Sequence, residues 1–179
     1  TGIGQGYIQT TPIQLCLMTA QIANGGYKIY PKIVLNQNDE DIEKDKFEPL
    51  VQNSKNIRMV QEAMFSSTNE VRGTSYKSRI NNPKYQFAGK TGTAQVKRIT
   101  KQDRELDLKT FEIPYEERDH ALYVAFGPYR NPRYAASILI EHGGSGSSVA
   151  APIAKKLFKK IIDRHQVRKD FNSKRYLDI

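Results

Sequence analysis

The clearest pattern of hydrophobic positions lies towards the C-terminus. Two short runs, residues 120–126 and residues 133–141, are apolar at most positions, and Gly-Pro and Asn-Pro dipeptides separate them. Short apolar runs bounded by turn residues are typical of buried strands. We therefore predict an antiparallel hairpin. Because both strands are apolar on both faces, we expect the sheet to be covered on both sides.

A helical pattern follows the hairpin, over residues 149–164. Its apolar positions share one face and comprise Ile153, Ala154, Leu157, Phe158, Ile161 and Ile162. The opposite face is basic and carries Lys155, Lys156, Lys159 and Lys160. A basic amphipathic helix can lie on a membrane surface. A helix that directly follows two buried strands has a sheet to cover, however, so we predict packing against that sheet.

Two further helices are predicted in the first half of the chain. Thr11 followed by Pro12 is typical of a helix start, because a hydroxyl caps the first turn and proline needs no donor there. This helix ends at the Asn-Gly-Gly of residues 24–26. Ser54 is the predicted N-cap of the second helix, which fades near residues 66–69.

The segments between the helices predict strands and loops. Residues 27–35 have the pattern of a strand or an extended segment, and Pro31 favours a sheet edge. Residues 36–46 are polar and acidic without periodicity, which is typical of a surface loop. Residues 85–96 have the pattern of a strand interrupted by glycine. Residues 97–119 form a long charged loop, and a loop of this length in a compact domain is usually functional or mobile.

These elements predict an α+β fold in which antiparallel strands are flanked by helices. The chain has 179 residues, of which 38% are apolar and 26% are charged, and that suits one domain with a substantial core. We assign residues 1–165 to the domain and residues 166–179 to a polar C-terminal tail. No apolar run approaches the ~18 residues of a membrane span.

The chain is basic, with a formal net charge of +9. The lysines and arginines are spread along the sequence, and no aromatic–basic platform, zinc spacing or nucleic-acid-binding motif accompanies them. We interpret the charge as a solvated surface that also steers an anionic substrate, and we expect no nucleic acid partner. The single cysteine, Cys16, excludes an internal disulfide, and no cofactor or metal site is predicted.

The sequence begins as a piece of a longer protein would. Its first residue is Thr1, and no basic segment or apolar signal sequence follows. We expect any membrane anchor or export signal to lie upstream.

The most distinctive chemistry lies in residues 87–94, which read Phe-Ala-Gly-Lys-Thr-Gly-Thr-Ala. Lys90 offers a fixed cation, and the hydroxyls of Thr91 and Thr93 offer hydrogen bonds to a carboxylate. Gly92 has no side chain, so a substrate backbone can lie against the strand, while the backbone N–H of Thr93 can stabilise an oxyanion. Together they predict a site for a peptide that ends in a carboxylate, bound by strand addition. An edge strand with ordinary polar residues is the alternative.

This segment resembles the K-T-G signature of penicillin-binding proteins, whose other signatures are S-x-x-K and S-x-N. More narrowly, the chain looks like the C-terminal half of the transpeptidase domain in a class B enzyme of the elongation type, penicillin-binding protein 2. The segments that carry this resemblance occur in the family's order and are residues 2–7, 11–15, 88–95, 120–128, 140–143 and 150–152.

The resemblance implies the penicillin-binding and serine β-lactamase-like transpeptidase fold. It implies a peptidoglycan D,D-transpeptidase in which a serine attacks a D-alanyl carbonyl and an amine then resolves the acyl-enzyme. Lys90 and the Thr93 N–H would be catalytic, and residues 90–93 would bind substrate. Implied partners are peptidoglycan stem peptides, β-lactams and membrane proteins of an elongation complex. The implied location is the periplasmic side of a bacterial inner membrane.

The chain departs from the family pattern at the nucleophile. No serine is followed by lysine three positions later, so S-x-x-K is absent and the chain alone is predicted to be inactive. The Ser-Thr-Asn string of residues 67–69 follows the glycine-rich start instead of preceding it, so we do not assign it to S-x-N. His120 and His142 flank the hairpin, and we interpret both as structural. Gln5 is predicted to shape a turn near the cleft.

The alternative functions fall into three classes. The same fold can serve as a non-catalytic module that binds peptidoglycan or a partner protein. Within the enzymes, a D,D-carboxypeptidase or a β-lactam sensor is possible. A basic nucleic-acid binder rests on charge alone and predicts strong, salt-dependent retention on DNA.

Overall fold

The structure is a computed structural model, and it describes residues 8–31, 48–97 and 108–175, with side chains described to residue 164. Within these ranges it contains helices, strands and short 3₁₀ turns in an α+β arrangement. The helices and strands are α1 (Pro12–Ala23), α2 (Ser54–Asn69), β1 (Ala88–Ala94), β2 (His120–Gly127), β3 (Tyr134–Ile140) and α3 (Ala151–Arg175). A π-helical turn, Gly146–Ala150, leads into α3.

The strands form one antiparallel sheet in the order β1-β2-β3. β2 lies in the centre, where Val124 is paired with Lys90 of β1 and with Ser137 of β3. The predicted hairpin is therefore confirmed as β2 and β3. β1 joins the other side of β2, so it is one edge of the described sheet.

Helices cover both faces of the sheet, as predicted. One face packs against α1 and α2, in a cluster built on Met64, Ala88 and Phe126. The other face packs against α3, and its buried residues are Phe87, Ala121, Tyr123, Ala125, Ala150, Ala151, Ala154, Phe158 and Ile162. Alternation along β2 produces both clusters, because successive side chains of a strand point to opposite faces.

Packing of α3 on the sheet centres on Phe158, which is 1% exposed. Its ring stacks on that of Phe87, with the ring centroids 5.2 Å apart and the planes within 2° of parallel. Gly127 lets the two rings reach the sheet, since a Cβ there would lie 3.0 Å from both Phe158 Cδ1 and Phe87 Cβ. This packing leaves the basic side of α3 to solvent, and Ile153 is 41% exposed instead of belonging to the buried face.

The helix starts follow the sequence closely. Thr11 caps α1 in a capping box with Gln14, and Pro12 takes the first helical position. For α2, the predicted cap was wrong by one residue. Asn53 is the N-cap, because its side-chain oxygen accepts the Lys55 N–H at 3.0 Å.

Two predicted strands differ from the structure. Of the strand predicted over residues 27–35, the described part has only an isolated bridge between Tyr27 and Pro49. The side chain of Asn24 binds the main chain of Tyr27, which ties this segment to the turn after α1. β1 is shorter than residues 85–96, because Pro83–Tyr85 forms a 3₁₀ turn before it.

The remaining differences concern loops and the end of the chain. The loop predicted over residues 36–46 lies outside the described residues, as do residues 98–107 of the long charged loop. The later part of that loop contains the 3₁₀ turn Tyr115–Glu117. α3 continues to Arg175, beyond the predicted end at residue 164. Within the described ranges, no helix combines the length and apolar character of a transmembrane span.

We predict that Phe158→Ala lowers the free energy of unfolding by about 3–5 kcal/mol, because it removes a buried ring and leaves a cavity against Phe87. Ile153→Ala on the same helix is the matched control, and we expect a smaller effect because Ile153 is 41% exposed whereas Phe158 is 1% exposed. Chemical denaturation of the full-length protein measures both. Equal losses would contradict this description of the α3 interface.

Candidate active site

The predicted site residues lie on β1, whose two faces have different neighbours. Lys90 and Gly92 are paired with Val124 and Leu122 and share their face of the sheet, the face that α1 and α2 cover. Thr91 is paired with Tyr123, whose ring belongs to the α3 cluster. The structure thus presents lysine and glycine on one face and the threonine side chains on the other.

The main chain of residues 87–93 has a consistent register along the outer edge of β1, away from β2. The carbonyls of Phe87 and Gly89 accept hydrogen bonds from Asn69 Nδ2 at 3.0 Å and from Thr68 Oγ1 at 3.4 Å. The Thr91 carbonyl accepts from Lys90 Nζ at 3.1 Å. Main-chain groups alternate in direction along a strand, so residues 87, 89, 91 and 93 direct their N–H and C=O groups to this edge.

A buried tyrosine supports β1 from the α3 side. The ring of Tyr123 lies across Gly89, where an added Cβ would be only 2.4 Å from Tyr123 Oη. Beyond the strand, this hydroxyl meets Thr68 Oγ1 at 2.8 Å and Ser75 Oγ at 3.1 Å, and all three residues are buried. Gly89 is therefore required by packing, because only glycine lets the ring cross the strand.

The environment of Tyr123 keeps its phenol neutral. Burial raises the pKa of this group, and the hydrogen bonds with Ser75 and Thr68 offset only part of that rise. A neutral phenol both donates and accepts, so it can satisfy two buried hydroxyls at once. Its role is to hold α2, the Ser75 segment and β1 together.

Sequence reasoning missed Thr74, which contacts the predicted site directly. Its hydroxyl lies 3.3 Å from Thr91 Oγ1 and 3.2 Å from Ser67 Oγ, so a chain of hydroxyls connects α2 with β1. Lys90 Nζ also lies 3.2 Å from Thr91 Oγ1. The one signal in the sequence was the turn at Gly73, where a Cβ would lie 2.3 Å from the Ser67 carbonyl oxygen.

The Ser-Thr-Asn string and the histidines have structural contacts. Thr68 and Asn69 bind the main chain of β1, as described above. The His142 N–H donates to His120 Nδ1 at 3.0 Å, and the two rings stand edge to face. His142 Nδ1 lies 3.2 Å from the Arg118 carbonyl oxygen. These bonds join the end of the hairpin to the segment that precedes it. His120 is paired with Ala94, the last residue of β1.

The candidate site is cationic. Lys90 is exposed, and its ammonium donates hydrogen bonds to the carbonyl and the hydroxyl of Thr91. Nowhere in the described part of the chain do three or more His, Cys, Asp or Glu side chains gather as a metal site would require. Gln5 lies outside the described residues.

Comparison with known proteins identifies the family. By sequence, residues 1–159 match the family described as the penicillin binding protein transpeptidase domain. The chain belongs to this family. The expectation from the K-T-G strand and the surrounding segments is therefore confirmed, and with it the transpeptidase fold.

Curated relatives carry the same assignment. The chain is 34% identical over 171 residues to peptidoglycan D,D-transpeptidase MrdA of Salmonella typhimurium strain SL1344, which covers 90% of this chain and 26% of the relative. It is 32% identical over 162 residues to MrdA of Haemophilus influenzae, which covers 87% of this chain and 24% of the relative. The chain thus spans about a quarter of the length of these relatives.

Solved structures of penicillin-binding protein 2 are also similar. In a solved complex of Helicobacter pylori PBP2 with MreC, the matching chain aligns with a TM-score of 0.71 at 31% identity, over 90% of this chain and 26% of that chain. Pseudomonas aeruginosa PBP2 in complex with WCK 5153 aligns with a TM-score of 0.70 at 37% identity, over 89% of this chain and 32% of that one. The resemblance to the elongation type is confirmed.

The two glycines that flank Lys90 allow a direct test of this description. Gly89→Ala forces a Cβ against the Tyr123 ring, and we predict a loss of about 1–3 kcal/mol in the free energy of unfolding. Gly92→Ala meets only Leu122 Cβ at 3.3 Å, so we expect a much smaller loss. Both substitutions restrict the unfolded chain similarly, so the difference measured by chemical denaturation reports the native contact. A larger loss for Gly92→Ala would refute the packing role of Gly89.

Proposed function

We propose that this chain forms one wall of the active site in a peptidoglycan D,D-transpeptidase. The observation that carries the proposal is the outer edge of β1, where outward-directed main-chain groups at residues 91 and 93 lie beside the exposed ammonium of Lys90. The membership of the transpeptidase family and the similarity to MrdA enzymes support it. An extended peptide can add to such an edge and be held by main-chain hydrogen bonds.

Each residue of the wall has a separate role in this proposal. The Lys90 ammonium attracts the C-terminal carboxylate of a stem peptide, and the Thr91 and Thr93 hydroxyls donate hydrogen bonds to it. Gly92 leaves room for the peptide backbone. The Thr93 N–H stabilises the oxyanion that forms when the D-alanyl carbonyl is attacked. Thr74 holds Thr91 in place through the hydroxyl chain.

The bond-making group of the proposed mechanism lies outside this chain. A serine of an S-x-x-K motif would attack the penultimate D-alanyl carbonyl, D-alanine would leave, and an amine from a second stem peptide would then resolve the acyl-enzyme. β-Lactams would acylate the same serine. In this proposal the protein acts on the periplasmic side of the inner membrane, together with membrane proteins of an elongation complex.

We predict that Lys90→Ala in the full-length protein slows acylation by fluorescent penicillin by about 100-fold, since it removes the cation that orients the carboxylate. The matched control is Lys55→Ala, which removes an exposed lysine at the start of α2. Acylation rates are measured by gel fluorescence, and thermal unfolding verifies that both variants fold. Unchanged acylation in Lys90→Ala would exclude a role for this lysine in binding.

Labelling of the isolated chain tests where the nucleophile lies. We expect fluorescent penicillin to label the full-length protein at a serine upstream of Thr1 and to leave the 179-residue chain unlabelled. Peptide mapping by mass spectrometry locates the adduct. Stable covalent labelling of the isolated chain would contradict the proposal that the nucleophile lies outside it. An unlabelled full-length protein would favour a non-catalytic module.

A further inference from the structure

A second basic feature lies on the opposite side of the sheet from Lys90. A cavity of about 490 Å³ opens between the 3₁₀ turn Tyr76–Ser78, the π-helical turn and the first turns of α3. The π-helical turn packs on the sheet through Gly146, where a Cβ would lie 2.7 Å from the Gly92 carbonyl oxygen. Residues that line the cavity include Lys77, Ser78, Ser147, Lys155, Lys156 and Lys159. We call it the lysine pocket.

The charges in the lysine pocket are of one sign. Lys155 and Lys159 are one helical turn apart, an arrangement of like charges that destabilises a helix. Lys77 adds a further ammonium from a separate element. Among the described residues, the ion pairs are Lys84 with Asp163 and Lys97 with Glu117, so no carboxylate neutralises Lys77, Lys155 or Lys156.

An unpartnered hydroxyl adds a second and independent sign of a ligand. Ser78 is 2% exposed, yet it lines the lysine pocket. None of the hydrogen bonds in the described part of the chain involves its side chain. Among the described residues, the side-chain polar atom that is sealed from solvent without a partner is Ser137 Oγ. The Ser78 hydroxyl is open to the pocket, so it is available to a ligand that enters there.

We propose that the lysine pocket binds a phosphorylated ligand through a diphosphate group. Ammonium groups act as point charges towards phosphate oxygens. Lysines from two separate elements can each bind one of two linked phosphates. A single carboxylate would leave some of these ammonium groups without a negative partner. Ser78 donates a hydrogen bond to a phosphate oxygen. None of residues 90–93, which form the proposed peptide-binding edge, lines the lysine pocket.

The position of the pocket makes it independent of α3 packing. The face of α3 that holds the sheet is apolar, whereas the lysines project from its other side. Loss of the lysines therefore removes charge without removing core contacts. This separation allows the binding site to be tested without unfolding the protein.

The test measures binding of inorganic pyrophosphate to the full-length protein by calorimetry at fixed ionic strength. We expect Lys77→Gln combined with Lys156→Gln to weaken binding by at least about tenfold, and Ser78→Ala to weaken it to a smaller extent. Lys160→Gln is the matched control, because it removes an exposed lysine from the same helix outside the pocket lining. Thermal unfolding checks that each variant retains its fold.

The outcomes separate the pocket from general electrostatic attraction. Absence of pyrophosphate binding, or an equal loss in Lys160→Gln, would overturn the proposal. Equal binding of citrate at the same ionic strength would overturn the assignment to phosphate. Competition by vesicles that contain an alkyl diphosphate lipid, but not by neutral vesicles, identifies a lipid headgroup as the source, whereas pyrophosphate binding that both vesicles leave unchanged identifies a soluble diphosphate.

Discussion

The crossing of Tyr123 over Gly89 is the contact on which the candidate site depends. A side chain from the central strand passes across the edge strand and reaches buried hydroxyls at Thr68 and Ser75. The two hydroxyls come from α2 and from the segment after it. The Tyr123 phenol therefore connects the sheet with α2 and the segment after it. The ring can cross β1 because Gly89 has no side chain.

The side chains of residues 88–93 in β1 have different neighbours on the two faces of the strand. Gly89 and Thr91 are engaged from behind, by Tyr123 and by Thr74 respectively. Lys90 and Gly92 share the other face. Because neighbouring residues of a strand point in opposite directions, Thr74 positions the Thr91 hydroxyl on one face while Lys90 and Gly92 lie on the other.

Much of the fold could be predicted because it rests on local patterns. The hairpin and the apolar face of α3 follow from short-range periodicity, and the start of α1 follows from a cap and a proline. The supporting network could not be predicted in this way. Tyr123 is one apolar position in a strand, and nothing in its neighbours indicates that its hydroxyl meets Thr68, 55 residues away in the chain. Thr74 and Ser78 were missed for the same reason.

Rigid support of β1 bears on how the proposed transpeptidase would work. Electrostatic stabilisation of an oxyanion is effective when the donors are already held in place before the charge develops. Here the carbonyls of Phe87 and Gly89, at the start of the strand, accept hydrogen bonds from Asn69 and Thr68 of α2. These contacts come from residues within this chain. In the proposed enzyme, the edge of β1 is therefore ordered before a nucleophile from elsewhere in the protein attacks the substrate. The conformational entropy of that edge is lost once, during folding, and not again in each reaction cycle.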